Sequence, residues 1–147
     1  KIPPRLFADR LVELAREYNN ALLIPEINNT CGGEVIHEIM QTKGYENVYR
    51  QQDAATGAPG GYGWRTTRGN RTGIIQSAKS IIESGAFHTF DEKLLMQLYN
   101  LVDDGGDLTE KPGTFVDLAM CAFIGIHVLQ ERKFWDEPGG LVIIKRR

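Results

Sequence analysis

The sequence predicts an α/β fold, and three observations predict it. Segments with apolar residues at helical spacing alternate with short apolar runs bounded by Asn, Gly and Pro. The first four segments run helix, strand, helix, strand, the rhythm of parallel strands with crossover helices. The most strand-like run, Ala21-Leu22-Leu23-Ile24-Pro25-Glu26-Ile27, has a buried-strand pattern that leads straight into a carboxylate. Its 147 residues suffice for one domain with a core.

The first helix is expected from Pro4 to Asn19. Phe7, Leu11, Leu14, Ala15 and Tyr18 share one face, with Pro3-Pro4 suited to its start and Asn19-Asn20 to its end. Asp9, Arg10, Glu13, Arg16 and Glu17 form a solvated face with i,i+3 and i,i+4 pairing. Glu26 then stands where the strand gives way to the loop Asn28-Asn29-Thr30. In open α/β sheets, ligands gather outside the carboxyl ends of the strands. Glu26 is therefore a candidate for metal or acid–base chemistry, and the competing reading is a solvated residue at a strand end.

Gly33 to Lys43 is the second helix, with Val35, Ile36, Ile39 and Met40 inward and Gly44 as its C′ residue. Asn47 to Arg50 is a short strand. Gln51 to Gly63, with its glycines and proline, is an exposed loop. It lacks the Gly-x-x-x-x-Gly-Lys-Ser/Thr spacing of a phosphate loop, so nothing in the chain supports an ATPase.

Two aromatics and three arginines follow in Tyr62-Gly63-Trp64-Arg65-Thr66-Thr67-Arg68-Gly69-Asn70-Arg71. A helix over 71–84 carries Ile74, Ile75, Ala78, Ile81 and Ile82 inward. A helix start does not favour cations, so local electrostatics do not explain the arginines. Contact with phosphates does, since guanidinium binds phosphate bidentately. Surface charge beside a packed aromatic is the alternative. Ala86 to Phe90 alternates like a short strand. Asp91 caps a helix to about Leu101, with Leu94, Leu95, Leu98 and Val102 inward. Asp103-Asp104-Gly105-Gly106-Asp107 is a hairpin tip, and its acids lack the spacing of a calcium loop. The last helix runs from Thr114 to about Arg132. Phe115, Leu118, Ala119, Ala122, Ile126 and Leu129 form its stripe, widened by Val116, Met120, Phe123 and Ile124. Asp117, in its first turn, is either a helix-dipole partner or a site residue. Leu141 to Ile144 would add an edge strand or pack loosely.

With a net charge of −2, any nucleic-acid contact needs a local basic patch. Cys31 and Cys121 form no disulfide framework and no Cys-x-x-Cys, which makes a reducing, cytosolic setting the default. No apolar run reaches the roughly 18 residues of a membrane span. The chain begins Lys1-Ile2-Pro3-Pro4 without methionine, as a piece or processed product of a longer protein would.

Three stretches in order carry a resemblance: Glu26 with Asn28-Asn29, Tyr62-Gly63-Trp64-Arg65-Thr66-Thr67 with Arg71, and Asp117-Leu118-Ala119-Met120. Together they resemble the nuclease domain of tailed-phage terminase large subunits, over roughly Pro4 to Gln130. The resemblance implies an RNase H-like mixed sheet flanked by helices, related to Holliday-junction resolvases and retroviral integrases. It implies an endonuclease that cuts concatemeric viral DNA during packaging with Mg²⁺ or Mn²⁺. Glu26 matches the family's second metal-binding carboxylate, and Asp117 the acid of the late helix. The family often shows His-Asp-Asp-Leu there, where this chain has Phe115-Val116-Asp117-Leu118. Arg65, Thr66, Thr67, Arg68 and Arg71 would meet double-stranded DNA, with Asn28 and Asn29 beside the acid. By the same resemblance the partners are the terminase ATPase domain, the small terminase subunit and the portal, in the cytoplasm of a host carrying a phage or prophage.

The family's first aspartate sits on an opening three-strand unit upstream of the first helix, and nothing here matches that unit or the family's ATPase. Asp9 does not replace the aspartate, because it lies inside an amphipathic helix. Residues 1–132 are thus expected to be the carboxy-terminal part of such a domain, with 133–147 a tail and with cleavage weak or lost. Two other readings stand beside this one. One is a non-catalytic module that binds DNA or docks on the packaging machinery. The other is a different RNase H-like enzyme such as a resolvase or transposase, against which the Gly-Trp-Arg-Thr-Thr stretch argues.

Overall fold

The computed structural model describes residues 2–28, 30–52, 56–104 and 107–131. Asn29, the residues 53–55 and 105–106, and the tail from 132 with its expected edge strand lie outside them. The fold mixes helices and strands, as expected, in two compact units, Lys1–Thr67 and Arg68–Arg147. The boundary falls inside the arginine stretch.

In the first unit, helix α1 (Pro4–Glu17) packs on α2 (Thr30–His37) and on the π-helical turn Glu38–Thr42 that continues it. The face of α1 is the expected one only in part: Ala15 is buried and Leu11 packs at the core margin as expected, but the rest of the face shifts. Ala8, Val12 and Ala15 are buried, whereas Phe7, Leu14 and Tyr18 are exposed. The neighbouring stripe of small residues wins because it lets α1 lie close against Val35 and Ile39, with Leu11 and Met40 at the margin. The ends follow expectation. Asn19 and Asn20 take positive φ after α1, and Gly44 does so after the π turn, where the Tyr45 amide donates to the Ile39 carbonyl at 3.1 Å. On the polar face Arg10 pairs with Glu13, while Asp9 reaches Lys43.

The run 21–27 is extended and half-buried at 21–25. Leu23 bridges Val48 and Glu26 bridges Trp64, both in parallel. One extended run thus pairs first with the segment around Val48 and then with Trp64. Between those two partners the chain leaves as a hairpin, β1 (Arg50–Gln52) antiparallel to β2 (Pro59–Tyr62). This corrects the loop expected over Gln51–Gly63. The glycines that suggested a loop serve close approach instead: a Cβ on Gly60 would stand 2.6 Å from the Gln51 carbonyl oxygen. Arg50 also stacks on Tyr62, 5.3 Å from the ring centre, and donates to the Gly60 carbonyl at 2.7 Å.

In the second unit, α3 (Arg68–Glu83) and α4 (Glu92–Tyr99) both pack on α5 (Asp117–Glu131). Helix α3 starts three residues earlier than expected, so Arg68 and Arg71 both lie in its first turn. Asp91 caps α4 as expected, accepting the Leu94 amide at 3.0 Å. Leu95 on α4 is nevertheless exposed. The expected strand over 86–90 is an irregular connection, fixed at its ends by Gly85 at φ +73° and the Asp91 cap. The Asp103–Asp107 expectation holds: β3 (Leu101–Asp104) and β4 (Asp107–Glu110) pair antiparallel, with Asp104 opposite Asp107. On α5 (Asp117–Glu131) and the two residues before it, the expected stripe is buried only in part: Ala119 and Ile126 are buried as expected. Phe115 and Leu118 are exposed, while Val116, Ala119, Phe123, Ile124, Ile126 and Val128 are buried. A helix flanked by two others buries the positions facing both, which a single-stripe reading divides wrongly.

Among the described residues the strand pairings are two antiparallel hairpins and three isolated parallel bridges, rather than one broad mixed sheet. None of the described helices is long and apolar enough to cross a membrane.

Candidate functional site

Glu26 stands at the carboxyl end of its extended run, where the run meets Trp64. The Trp64 amide donates to the Pro25 carbonyl at 2.8 Å, and the Ile27 amide to the Trp64 carbonyl at 2.8 Å. Trp64 is 2 % exposed and leans on Tyr49, ring centres 5.8 Å apart. Two glycines allow the backbones to close around this point. A Cβ on Gly32 would lie 2.6 Å from the Glu26 carbonyl oxygen. On Gly63, at φ +87°, it would lie 2.6 Å from Ile36 Cδ1, 2.7 Å from Ile27 Cγ2 and 2.8 Å from the Pro25 oxygen.

The Glu26 side chain is exposed but held. Its Oε1 accepts from Thr66 Oγ1 at 2.5 Å and from Asn28 Nδ2 at 2.8 Å. Asn28 Oδ1 accepts the Thr66 amide at 3.0 Å, closing a ring of hydrogen bonds. Trp64 Nε1 donates to Thr66 Oγ1 at 3.2 Å. These directions are forced. An indole N–H only donates, so the hydroxyl accepts there and sends its single proton to Glu26. The Thr66 amide needs an acceptor and the carboxylate needs a donor, which orients the Asn28 amide uniquely. Bonds to an ionised carboxylate are among the stronger hydrogen bonds.

The ring joins Asn28 and Thr66, both singled out by the sequence, to Glu26. It also adds Trp64 as an anchor, for which the motif was the only signal. Thr66, expected on DNA, commits its hydroxyl proton to Glu26. Arg65 is exposed, and its amide donates to Gln51 Oε1 at 3.0 Å. Thr67 is exposed at the end of the first unit, and Arg68 and Arg71 are exposed at the start of the second. Asn29 lies outside the described residues.

Asp117 belongs to the second unit, exposed at the first position of α5. The amides beside it are satisfied from another helix: Gln97 Oε1 on α4 accepts from Leu118 at 2.7 Å and Ala119 at 3.1 Å. A side chain from a different helix thus does the work of an N-cap. The Asp117 carboxylate has no hydrogen-bond partner among the described residues. Elsewhere in this unit Ser77 Oγ lies 2.9 Å from His127 Nδ1, and His127 Nε2 lies 3.4 Å from Glu131 Oε1. This contact pins α3 to α5, and the spacing of Ser77 and His127 in the sequence carried no sign of it.

No family model matches this sequence, and no curated protein matches it either. Mg²⁺ is commonly held by one or two carboxylates, with water and substrate phosphate completing its shell. Glu26, a hard oxygen donor held near the end of an extended run, fits as one such ligand. It does not by itself fit a pair of ions, and among the described residues no three His, Cys, Asp or Glu side chains gather as a metal group.

Proposed function

We propose that this chain is the carboxy-terminal part of an RNase H-like, metal-dependent DNA endonuclease of the terminase kind. The reading rests on one observation above all. Two motif stretches, distant in sequence, meet at one carboxylate: Asn28 and Thr66 both bond Glu26. The substrate is double-stranded DNA. Arg65, Arg68 and Arg71, with Thr67, take its phosphates and position the duplex without reading its sequence. Glu26 would offer one oxygen ligand to Mg²⁺ or Mn²⁺, and Asp117 is the second acid that the resemblance implies. Such an ion, when bound, activates water and neutralises charge on the phosphate. The partners proposed with it are the packaging ATPase domain, the small terminase subunit and the portal, in the cytoplasm of a host carrying the phage or prophage.

Nicking of supercoiled plasmid with Mg²⁺ or Mn²⁺ tests this. The comparison is between this chain, a form extended upstream, and the extended form carrying Glu26→Ala or Asp117→Ala. The expected result is cutting by the extended form, little by this chain, and loss in both variants. Full cutting by the extended Glu26→Ala protein would overturn the reading. Tight DNA binding without cutting in every form would favour a docking or binding module instead.

A further inference from the structure

An exposed glutamate ordinarily samples many rotamers, and a ligand that needs it must first freeze them. Glu26 is exposed, yet four connected hydrogen bonds tie it to the buried Trp64. Both bonds to the carboxylate fall on the same oxygen, Oε1. Among the described residues no donor reaches Oε2. A ring whose only purpose was to join the two extended runs would not need the carboxylate. The backbone bonds Trp64 to Pro25 and Ile27 to Trp64 already join them.

We infer that Thr66 and Asn28 are positioning residues that hold Glu26 by Oε1 in one orientation and present Oε2 to a hard divalent cation. Trp64 completes the device by fixing the Thr66 hydroxyl rotor. The cation part rests on the function proposed above, while the holding of Glu26 does not. Thr66 thereby leaves the DNA-contacting group for the support of the acid. The threonine hydroxyl and the tryptophan N–H, two residues apart, then both serve the carboxylate beside the bridge.

The test uses the 147-residue chain with Thr66→Val, which keeps the side-chain shape and removes the hydroxyl, Thr66→Ser, which restores it, and Glu26→Gln. Two readouts are taken on proteins whose melting temperatures show them folded: ¹³C relaxation of the Glu26 side chain, and Mn²⁺ affinity by electron paramagnetic resonance. In Thr66→Val the Glu26 side chain becomes mobile and the Mn²⁺ Kd rises about tenfold, the lower end for losing a residue that orients a metal ligand. Thr66→Ser stays near the wild type in both, and Glu26→Gln loses the Mn²⁺ signal. A Thr66→Val protein with a rigid Glu26 and unchanged Mn²⁺ affinity overturns the inference. Absence of Mn²⁺ binding in the wild type removes Glu26 as a metal ligand and with it the cation half of the inference. The relaxation difference between Val and Ser then decides whether Thr66 holds the acid.

Discussion

The two acids singled out in this chain sit in contrasting settings. Glu26 is tied by side chains from both flanking segments to a buried tryptophan, at the meeting of extended runs. Asp117 stands exposed at the start of a helix whose free amides are capped by a glutamine from another helix. The difference teaches where preorganisation comes from. A helix start tolerates or welcomes an acid through local electrostatics alone. A held carboxylate where two extended runs meet needs partners assembled from distant sequence.

The contrast is broken most severely at Trp64. Trp64→Ala removes a fully packed ring and the donor that sets the Thr66 hydroxyl. Unfolding in urea is expected to lose about 3–5 kcal/mol, the range for large core aromatics. A loss below about 1 kcal/mol would mean the corner stands without its anchor.

A smaller effect is expected at Tyr45, in the core of the same unit. Its hydroxyl donates to the Ala21 carbonyl at 2.5 Å, at the start of the Glu26 run. Burial raises its pKa above the ordinary 10.0, opposed in part by the charge of Arg16. A phenol whose folded pKa is raised gives its full stabilisation below the unfolded value. It loses that stabilisation as pH rises from about 10 through the folded pKa. Stability should therefore fall above about pH 10, and Tyr45→Phe should flatten that fall while costing about 1 kcal/mol at neutral pH. An alkaline slope unchanged in Tyr45→Phe would place its source elsewhere.

The second unit sharpens the comparison with the smallest effects. Gln97→Ala uncaps α5 and should cost about 1 kcal/mol, as a lost cap does. Asp117→Ala should cost less, a few tenths to about 1 kcal/mol at low salt, and the cost should shrink as salt rises. Thermal melts of both variants at two ionic strengths read this. An Asp117→Ala loss larger than that of Gln97→Ala and indifferent to salt would show that Asp117 has a specific partner.

Much that was legible in the sequence was local. The Asp91 cap, Gly44 at the end of the π turn, the hairpin around Asp103–Asp107 and Glu26 near the end of an extended run all depend on residues within one turn or run. The packing faces were not legible in the same way. Along α1 the stripes through Phe7, Leu14 and Tyr18 and through Ala8, Val12 and Ala15 lie side by side, and only the partner helix chooses between them. The hairpin at 50–62 read as a loop because its strands carry glycine and proline, whose value lies in a cross-strand approach. Gln97 and the Thr66 hydroxyl were missed as supports for the same reason: each acts on a residue far along the chain.

The most direct measurement on the central claim is a crystal structure of this chain soaked in Mn²⁺, with the ion located by anomalous scattering. The account predicts Mn²⁺ bonded directly to the free oxygen of Glu26, with Thr66 and Asn28 still on the other oxygen. Mn²⁺ bound only elsewhere, or a Glu26 turned away from Thr66 and Asn28, would contradict it.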